Sequence, residues 1–202
     1  MPDSFQNYAQ LQTEYRNGRD FRICHADRGG ELLILAPHGG GIEPGTSEIA
    51  VALAGDDLSY YLFEGLGQTG RDNRRLHLTS ARFDEPQCLD LVTRYQTALA
   101  VHGYLNREPM IVIGGRDLEL KARLMAELSA RGWPVQIGTD GYAGTLRSNI
   151  CNRTRSGKGV QLEFSDGLRK PLFADWQYRI GRKTTTDQFL QLVTAIRSVI
   201  DP

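Results

Sequence analysis

The chain has 202 residues, enough for one domain that buries roughly 70% of the surface of the unfolded chain. Lysine plus arginine number 24 and aspartate plus glutamate number 24, so no net charge attracts the protein to nucleic acid or to an anionic membrane. The three cysteines, Cys24, Cys88 and Cys151, form no CxxC pair, which argues against a disulfide framework and a cysteine-rich zinc site. We therefore expect a single domain, residues 1–202, without nucleic-acid or membrane partners.

The first 15 residues lack the basic and apolar parts of a secretion signal. No apolar run approaches the ~18 residues of a membrane span. An odd number of widely spaced cysteines also suits a reducing compartment. We therefore expect a cytoplasmic protein, and the expected oligomeric state is a monomer.

Short apolar runs alternate with helical patterns along the chain, which is typical of an α/β layered domain. The predicted helices cover residues 5–15, 47–54, 87–95, 117–131 and 187–200. The predicted strands, most of them apolar on both faces, cover residues 21–24, 31–36, 58–63, 75–78, 97–101, 110–113, 134–137 and 160–164. The glycines of residues 65–70 match a dinucleotide-binding pattern, but a polar stretch follows in place of a helix, so they indicate a strand connection.

The strand at residues 31–36 leads into a glycine-rich turn that contains His38 and Glu43. Catalytic zinc takes three protein ligands, commonly imidazoles and a carboxylate, and leaves a fourth position for water. Glycines at 39–41 allow the turn to bring both side chains to one point. The alternative is an ordinary turn in which His38 is a polar boundary residue. The absence of a Gly-x-Ser-x-Gly elbow from the chain argues against an esterase oxyanion loop.

His102 is the third candidate ligand, because it also follows an apolar strand at its predicted carboxyl end. Of the other two histidines, His25 lies in a polar turn and is expected at the surface. His77 lies between two leucines, and we expect it to have a structural role.

Glu163 stands among apolar residues in the strand at 160–164. A buried ionised carboxylate is costly unless it is paired or close to a metal. Beside zinc-bound water it could act as a general base and then as an acid. The alternative is an edge-strand glutamate that faces solvent.

Three arginines lie beside small polar residues or at a strand end, namely Arg82, Arg116 and Arg153. Because guanidinium binds carboxylate in a bidentate fork, we expect these side chains to contact an acidic substrate. We also expect Arg153 to be a catalytic residue together with Glu163. Structural ion pairs are the alternative for all three.

Four segments together resemble the poly-γ-glutamate hydrolase family of bacteriophages and bacteria: residues 36–46, 100–103, 149–153 and 159–163. The resemblance implies an α/β three-layer sandwich with a mixed central sheet flanked by helices, similar to zinc carboxypeptidases. It also implies one Zn²⁺ per chain on His38, Glu43 and His102, a base at Glu163, and hydrolysis of poly-γ-glutamate or another γ-glutamyl compound. Asn152 and Arg153 fall where zinc carboxypeptidases hold a substrate carboxylate or carbonyl.

Four residues separate His38 from Glu43, whereas zinc carboxypeptidases usually have two between these ligands, so Glu48 is an alternative carboxylate ligand. Two other functions stay open at this stage. One is a zinc deacylase for a small acidic N-acyl amino acid, and the other is a non-catalytic protein that binds an anionic ligand. Release of the protein by phage lysis would reconcile an extracellular polymer with the lack of a secretion signal.

Overall fold

The computed structural model describes residues 3–67 and 73–201. The strands are β1 (Phe21–Ala26), β2 (Leu32–Gly40), β3 (Ser59–Gly65), β4 (Thr97–Tyr104), β5 (Ile111–Gly115), β6 (Val135–Ile137) and β7 (Val160–Ser165). The helices are α1 (Tyr8–Glu14), α2 (Thr46–Ala54), α3 (Pro86–Val92), α4 (Leu118–Ala130), α5 (Asp166–Arg169) and α6 (Asp187–Ile200). Among the helices of this part of the chain, none is long and apolar enough to cross a membrane.

The seven strands form one mixed sheet in the order β1-β3-β2-β4-β7-β5-β6. β1 is antiparallel to β3 and β5 is antiparallel to β7, whereas the other neighbouring pairs are parallel. The expected mixed sheet is therefore confirmed. Since β2, β4 and β7 run in the same direction, their carboxyl ends meet at one edge of the sheet, where ligands of open α/β sheets commonly bind.

Two hydrophobic cores lie on the two faces of the sheet, as the alternation of side chains along each strand requires. Ile34, Leu99 and Leu162 point to the face covered by α2, α4 and α6. Leu35 and Ala100 point to the opposite face, which is covered by α1 and α3. Helices therefore cover both faces, and the expected three-layer sandwich is confirmed.

The five predicted helices and seven of the eight predicted strands are present, with shifted ends. The strand predicted at 75–78 is wrong, because this segment forms a 3₁₀ turn, Arg74–Leu76, and then an extended stretch outside the sheet. Leu76 and Leu78 are buried in the core, which accounts for the strand-like alternation. Helix α5 was not predicted, since four residues show no period. The connection predicted at 65–70 lies partly outside the described residues.

β2 separates from β4 just before the predicted metal-binding turn. The ladder between them ends at Leu35 and Ala100, while β4 continues beside β7 as far as Tyr104. The ladder between β2 and β3 shifts register between Ala36 and Gly39. Such a bulge redirects the side chains that it contains. The separation and the bulge together open a crevice at the carboxyl ends of β2 and β4.

Candidate metal centre

His38, Glu43 and His102 meet in this crevice. His38 Nδ1 lies 3.1 Å from Glu43 Oε1 and 3.1 Å from His102 Nδ1. His102 Nδ1 lies 3.6 Å from Glu43 Oε2. A tetrahedral zinc ion with bonds of about 2.0–2.1 Å places neighbouring ligand atoms about 3.3 Å apart. The two Nδ1 atoms and the Glu43 carboxylate oxygens therefore have about the spacing of one metal's ligand shell.

Both imidazoles turn Nδ1 toward the cluster and Nε2 away from it. His38 Nε2 lies 2.8 Å from the carbonyl oxygen of Leu78, which can only accept, so Nε2 carries the hydrogen and Nδ1 keeps its lone pair. His102 Nε2 makes a similar outward contact, 3.3 Å from Ser80 Oγ. Outer hydrogen bonds of this kind orient histidines that bind metals. Two such nitrogens beside a carboxylate require a cation or a proton between them, so the residues fit a divalent metal.

The turn after β2 holds Glu43 in place. The Glu43 amide donates to the carbonyl of His38 over 2.9 Å, which closes the turn. Gly40 has a φ of 66°, and a Cβ there would come within 2.5 Å of the Gly65 carbonyl oxygen. Glu43 Oε2 accepts a hydrogen bond of 2.8 Å from the amide of Gly103, which follows His102. The strand end that carries one histidine thus also orients the carboxylate.

Glu48, the alternative carboxylate, lies elsewhere. Its Oε1 accepts a hydrogen bond of 3.1 Å from Arg182 Nε, and the side chain does not line the cleft. The structure thus brings Glu43, and not Glu48, to the histidines.

His77 lies closer to the cluster than its sequence context suggested. Its ring centroid is 4.1 Å from that of His38, and its Nε2 is 3.8 Å from Glu43 Oε1. Asp3 Oδ1 lies 2.7 Å from His77 Nδ1, the carboxylate–histidine pairing that often orients a metal ligand. Donor atoms of His38, Glu43 and His77 all lie within 4.8 Å of one another, so these residues also form a possible metal-binding group.

The charges of the cluster shift the pKa values of its members. Burial alone would raise the pKa of Glu43, but His38 and His102 hold it well below its usual range. Burial alone would lower the pKa of His38, but the Glu43 carboxylate raises it above the ordinary value. The pKa of His77 is lowered to about 4, first by the charge of His38 and then by burial. The opposite pKa shifts of Glu43 and His38 show that these groups interact strongly, as expected of side chains that can share one cation.

Glu163 lies on β7 directly opposite His102 of β4. Burial raises the pKa of Glu163, and the negative charge of Glu43 adds to the increase, while His102 acts in the opposite direction. A carboxyl group with a raised pKa next to a metal centre is suited to accept a proton and to return it.

The cluster opens into a cleft of about 730 Å³. The lining residues are His38, Glu43, His77, 79–81, 102–104, 140–146, Asn149, Gln161 and Glu163. Among these lining residues of the described chain, none is a lysine or an arginine. The cleft therefore presents hydroxyl, amide and aromatic groups, and carboxylates near the metal cluster.

The four residues expected to bind substrate, Arg82, Arg116, Asn152 and Arg153, do not line this cleft. Their side-chain partners are Gln6 Oε1 for Arg82, and the carbonyls of Thr145 for Arg116, Ser148 for Arg153, and Gly144 and Leu146 for Asn152. Arg116 and Asn152 therefore brace the 140–146 segment that forms one wall of the cleft, whereas Ser148, the partner of Arg153, lies outside the lining. The contact of these four residues with substrate, and the catalytic role of Arg153, stay predictions.

Two buried arginines, which the sequence analysis did not identify, support the turn that carries Glu43. Arg169 donates to the Pro44 carbonyl over 2.6 Å, and Arg182 donates to the Gly40 carbonyl over 3.4 Å. The Trp176 ring contacts both guanidinium groups, at 5.5 and 5.8 Å from its centroid. Nothing in the sequence around these arginines distinguishes them from surface arginines, so only the fold reveals them.

The chain matches known proteins over almost its whole length. The model of the poly-gamma-glutamate hydrolase family matches residues 5–195. The UPF0714 protein YndL of Bacillus subtilis (strain 168) is 36% identical over 191 residues, which cover 94% of this chain and 74% of that protein. The structure of a bacteriophage poly-gamma-glutamate hydrolase has a TM-score of 0.93 and 33% identity, and covers 98% of this chain and 96% of that chain. A zinc-free apo structure of YndL has the same TM-score and identity, and covers 98% of each chain. The chain therefore belongs to the poly-gamma-glutamate hydrolase family and is a hydrolase.

Proposed function

We propose that the chain hydrolyses the γ-glutamyl amide bonds of poly-γ-glutamate with one zinc ion held by His38, Glu43 and His102. The observation that carries the proposal is the pair of Nδ1 atoms, 3.1 Å apart, that face each other beside the Glu43 carboxylate. The family and the phage hydrolase support the substrate. The zinc-free apo form of YndL, a relative with the same fold, supports zinc as the metal.

We assign His102, rather than His77, as the third ligand. His102 Nδ1 lies 3.1 Å from His38 Nδ1, within the spacing of a tetrahedral shell, and it is 3.6 Å from Glu43 Oε2, slightly closer than the 3.8 Å between His77 Nε2 and Glu43 Oε1. His102 is also 1% exposed and fixed in a central strand, while the His77 side chain is 34% exposed. In this assignment, His77 and its partner Asp3 lie beside the ligands without binding the metal.

When bound, the zinc ion supplies a Lewis acid for the scissile carbonyl and lowers the pKa of a water molecule. Glu163 would take a proton from the attacking water as the water oxygen bonds to the carbonyl carbon, and it would return the proton to the leaving nitrogen as the C–N bond breaks. The raised pKa of Glu163 suits both steps, because the group has to hold the proton between them. No covalent bond between enzyme and substrate is needed.

Because the described residues that line the cleft include no lysine or arginine, we expect the substrate's α-carboxylates to be bound at its rim. Among the three arginines expected to bind substrate, Arg82 lies at the rim, because its Nη2 is 3.6 Å from Asp3 Oδ2 and Asp3 also bonds to His77 of the cleft lining. Arg82 is exposed and could exchange Gln6 for a carboxylate. We infer that Arg82 binds an α-carboxylate at the rim, while Thr79, Ser80 and Thr145 offer hydroxyl groups inside the cleft.

The test is Glu163→Gln, compared with Glu119→Gln on an exposed position of α4. Zinc content and release of shorter chains from poly-γ-glutamate are measured for both variants. We expect Glu163→Gln to keep zinc and to lose roughly 10²–10⁴-fold in kcat, because it can no longer accept the proton. We expect Glu119→Gln to match the wild type. A Glu163→Gln enzyme within a few-fold of wild-type kcat would show that another group is the base.

A further inference from the structure

Gln161 lies two residues before Glu163 on β7, so the two side chains point to the same face of the strand. Gln161 is 3% exposed and lines the cleft. Its Nε2 lies 3.4 Å from Glu163 Oε1 and 3.3 Å from the carbonyl oxygen of Tyr142. Both partners accept hydrogen bonds when Glu163 is ionised, so the amide directs its two N–H groups toward the carboxylate and the cleft wall.

Asn149 sets this orientation of the Gln161 amide. Asn149 Oδ1 accepts a hydrogen bond of 3.2 Å from the backbone amide of Cys151, which can only donate. Asn149 is thus left with Nδ2 for its other partner, and Nδ2 donates to Gln161 Oε1 over 2.8 Å. Gly144, with a φ of 62°, packs against the same amide, since a Cβ there would lie 2.6 Å from Gln161 Cδ. In the series of hydrogen bonds from Cys151 through Asn149 and Gln161 to Glu163, each bond therefore has only one possible donor.

We propose that Gln161, oriented by Asn149, is a positioning residue that holds the Glu163 carboxylate for proton transfer. One carboxylate oxygen is fixed by the Gln161 N–H, and the other stays free for the water. The same amide fixes the Tyr142 backbone, so it also joins the 140–146 wall to the base. This inference rests on the proposed role of Glu163 as the base.

Two substitutions of Asn149 separate this role from a structural one. Asn149→Asp keeps an acceptor for the Cys151 amide, but its carboxylate cannot donate, so Gln161 has to rotate and present Oε1 to Glu163. Asn149→Ala loses the bond to Cys151 but leaves Gln161 free to donate to Glu163. A merely structural role predicts that alanine is the worse substitution, since aspartate has the shape of asparagine. The positioning role predicts the reverse order for kcat.

We expect Asn149→Asp to lower kcat about 10- to 100-fold, the usual effect of disturbing a supporting hydrogen bond at a metal site, with little change in KM. Asn149→Ala should lose less. If Asn149→Asp folds poorly, Gln161→Met takes its place in the test. Methionine cannot donate a hydrogen bond to Glu163, so we expect the same 10- to 100-fold loss in kcat. Asn7→Asp adds the same charge at the N-cap of α1, outside the cleft, and serves as the control. Zinc content and Tm are measured for every variant.

Wild-type kcat in Asn149→Asp, or a lower kcat in Asn149→Ala than in Asn149→Asp, would overturn the inference. In the Glu163→Gln background, Asn149→Asp should cause no further loss, because the positioned carboxylate is already gone. If Glu163→Gln is inactive but Asn149→Asp is fully active, the positioning role of Gln161 is rejected, while the role of Glu163 as the base stands. An active Glu163→Gln enzyme would reject the proposed mechanism itself.

Discussion

Arg169 links the backbone of β7, of β4 and of the turn after β2 beside the candidate metal centre, so its replacement should disturb stability and activity together. Arg169 is 2% exposed, and its guanidinium donates to the carbonyls of Phe164, Pro44 and Tyr104 over 3.0, 2.6 and 3.2 Å. Phe164 follows the proposed base, Pro44 follows Glu43, and Tyr104 lies two residues after His102. Arg169→Met keeps much of the side-chain volume and removes all three bonds.

Each hydrogen bond from a charged donor contributes roughly 1.5–3 kcal/mol. Removing the arginine also recovers the cost of burying its charge, so we expect a net loss of about 3–5 kcal/mol, typical of a broken buried charge network. Arg169→Lys should fall between the wild type and methionine, because an ammonium keeps the charge without the planar fork.

The assay is equilibrium urea unfolding of the metal-free proteins, followed by hydrolysis with zinc restored. The exposed Arg107, replaced by Met, is the control. A loss below about 1 kcal/mol in Arg169→Met with full kcat would refute the claim that this side chain holds the centre together.

Two other predictions concern the stability of the fold. The folded-state pKa of Glu163 is raised, so its stabilising contribution is present below the unfolded pKa and is lost as pH rises through the folded pKa. Metal-free Glu163→Gln should therefore be more stable than metal-free wild type near pH 7, and thermal unfolding should show this advantage vanish toward pH 4; equal stability at both pH values would contradict it. Gly40→Ala should cost about 2 kcal/mol or more in urea unfolding, because its φ is 66° and its Cβ would meet the Gly65 carbonyl at 2.5 Å. An alanine variant as stable as wild type would show that the turn relaxes freely.

Sequence patterns predicted those parts of the site that lie at strand ends. His38, His102 and Glu163 follow or occupy apolar strands, and parallel strands of one sheet end at the same edge. Once the strands had been predicted, these three side chains could therefore be expected to lie close together. Glu43 also converges with them, because the glycine turn closes as expected.

The roles of residues that depend on tertiary packing could not be predicted from sequence patterns. His77 lies in an extended stretch outside the sheet, so the alternation around it indicated a strand and concealed its contact with Asp3. A guanidinium reaches several ångströms from its backbone, so the sequence could not show whether Arg153 faces substrate or a carbonyl. The same uncertainty hid the buried Arg169.

The most direct test of the central claim is the zinc content of purified wild type beside His38→Ala, His102→Ala and His77→Ala, with poly-γ-glutamate hydrolysis measured before and after chelation. We predict about one zinc per wild-type chain, loss of tight zinc binding and of hydrolysis in His38→Ala and His102→Ala, and retention of zinc in His77→Ala. Zinc lost from His77→Ala but retained in His102→Ala would contradict the assigned ligand set. A wild-type protein that binds no zinc, or that cleaves the polymer at full rate after chelation, would contradict the account as a whole.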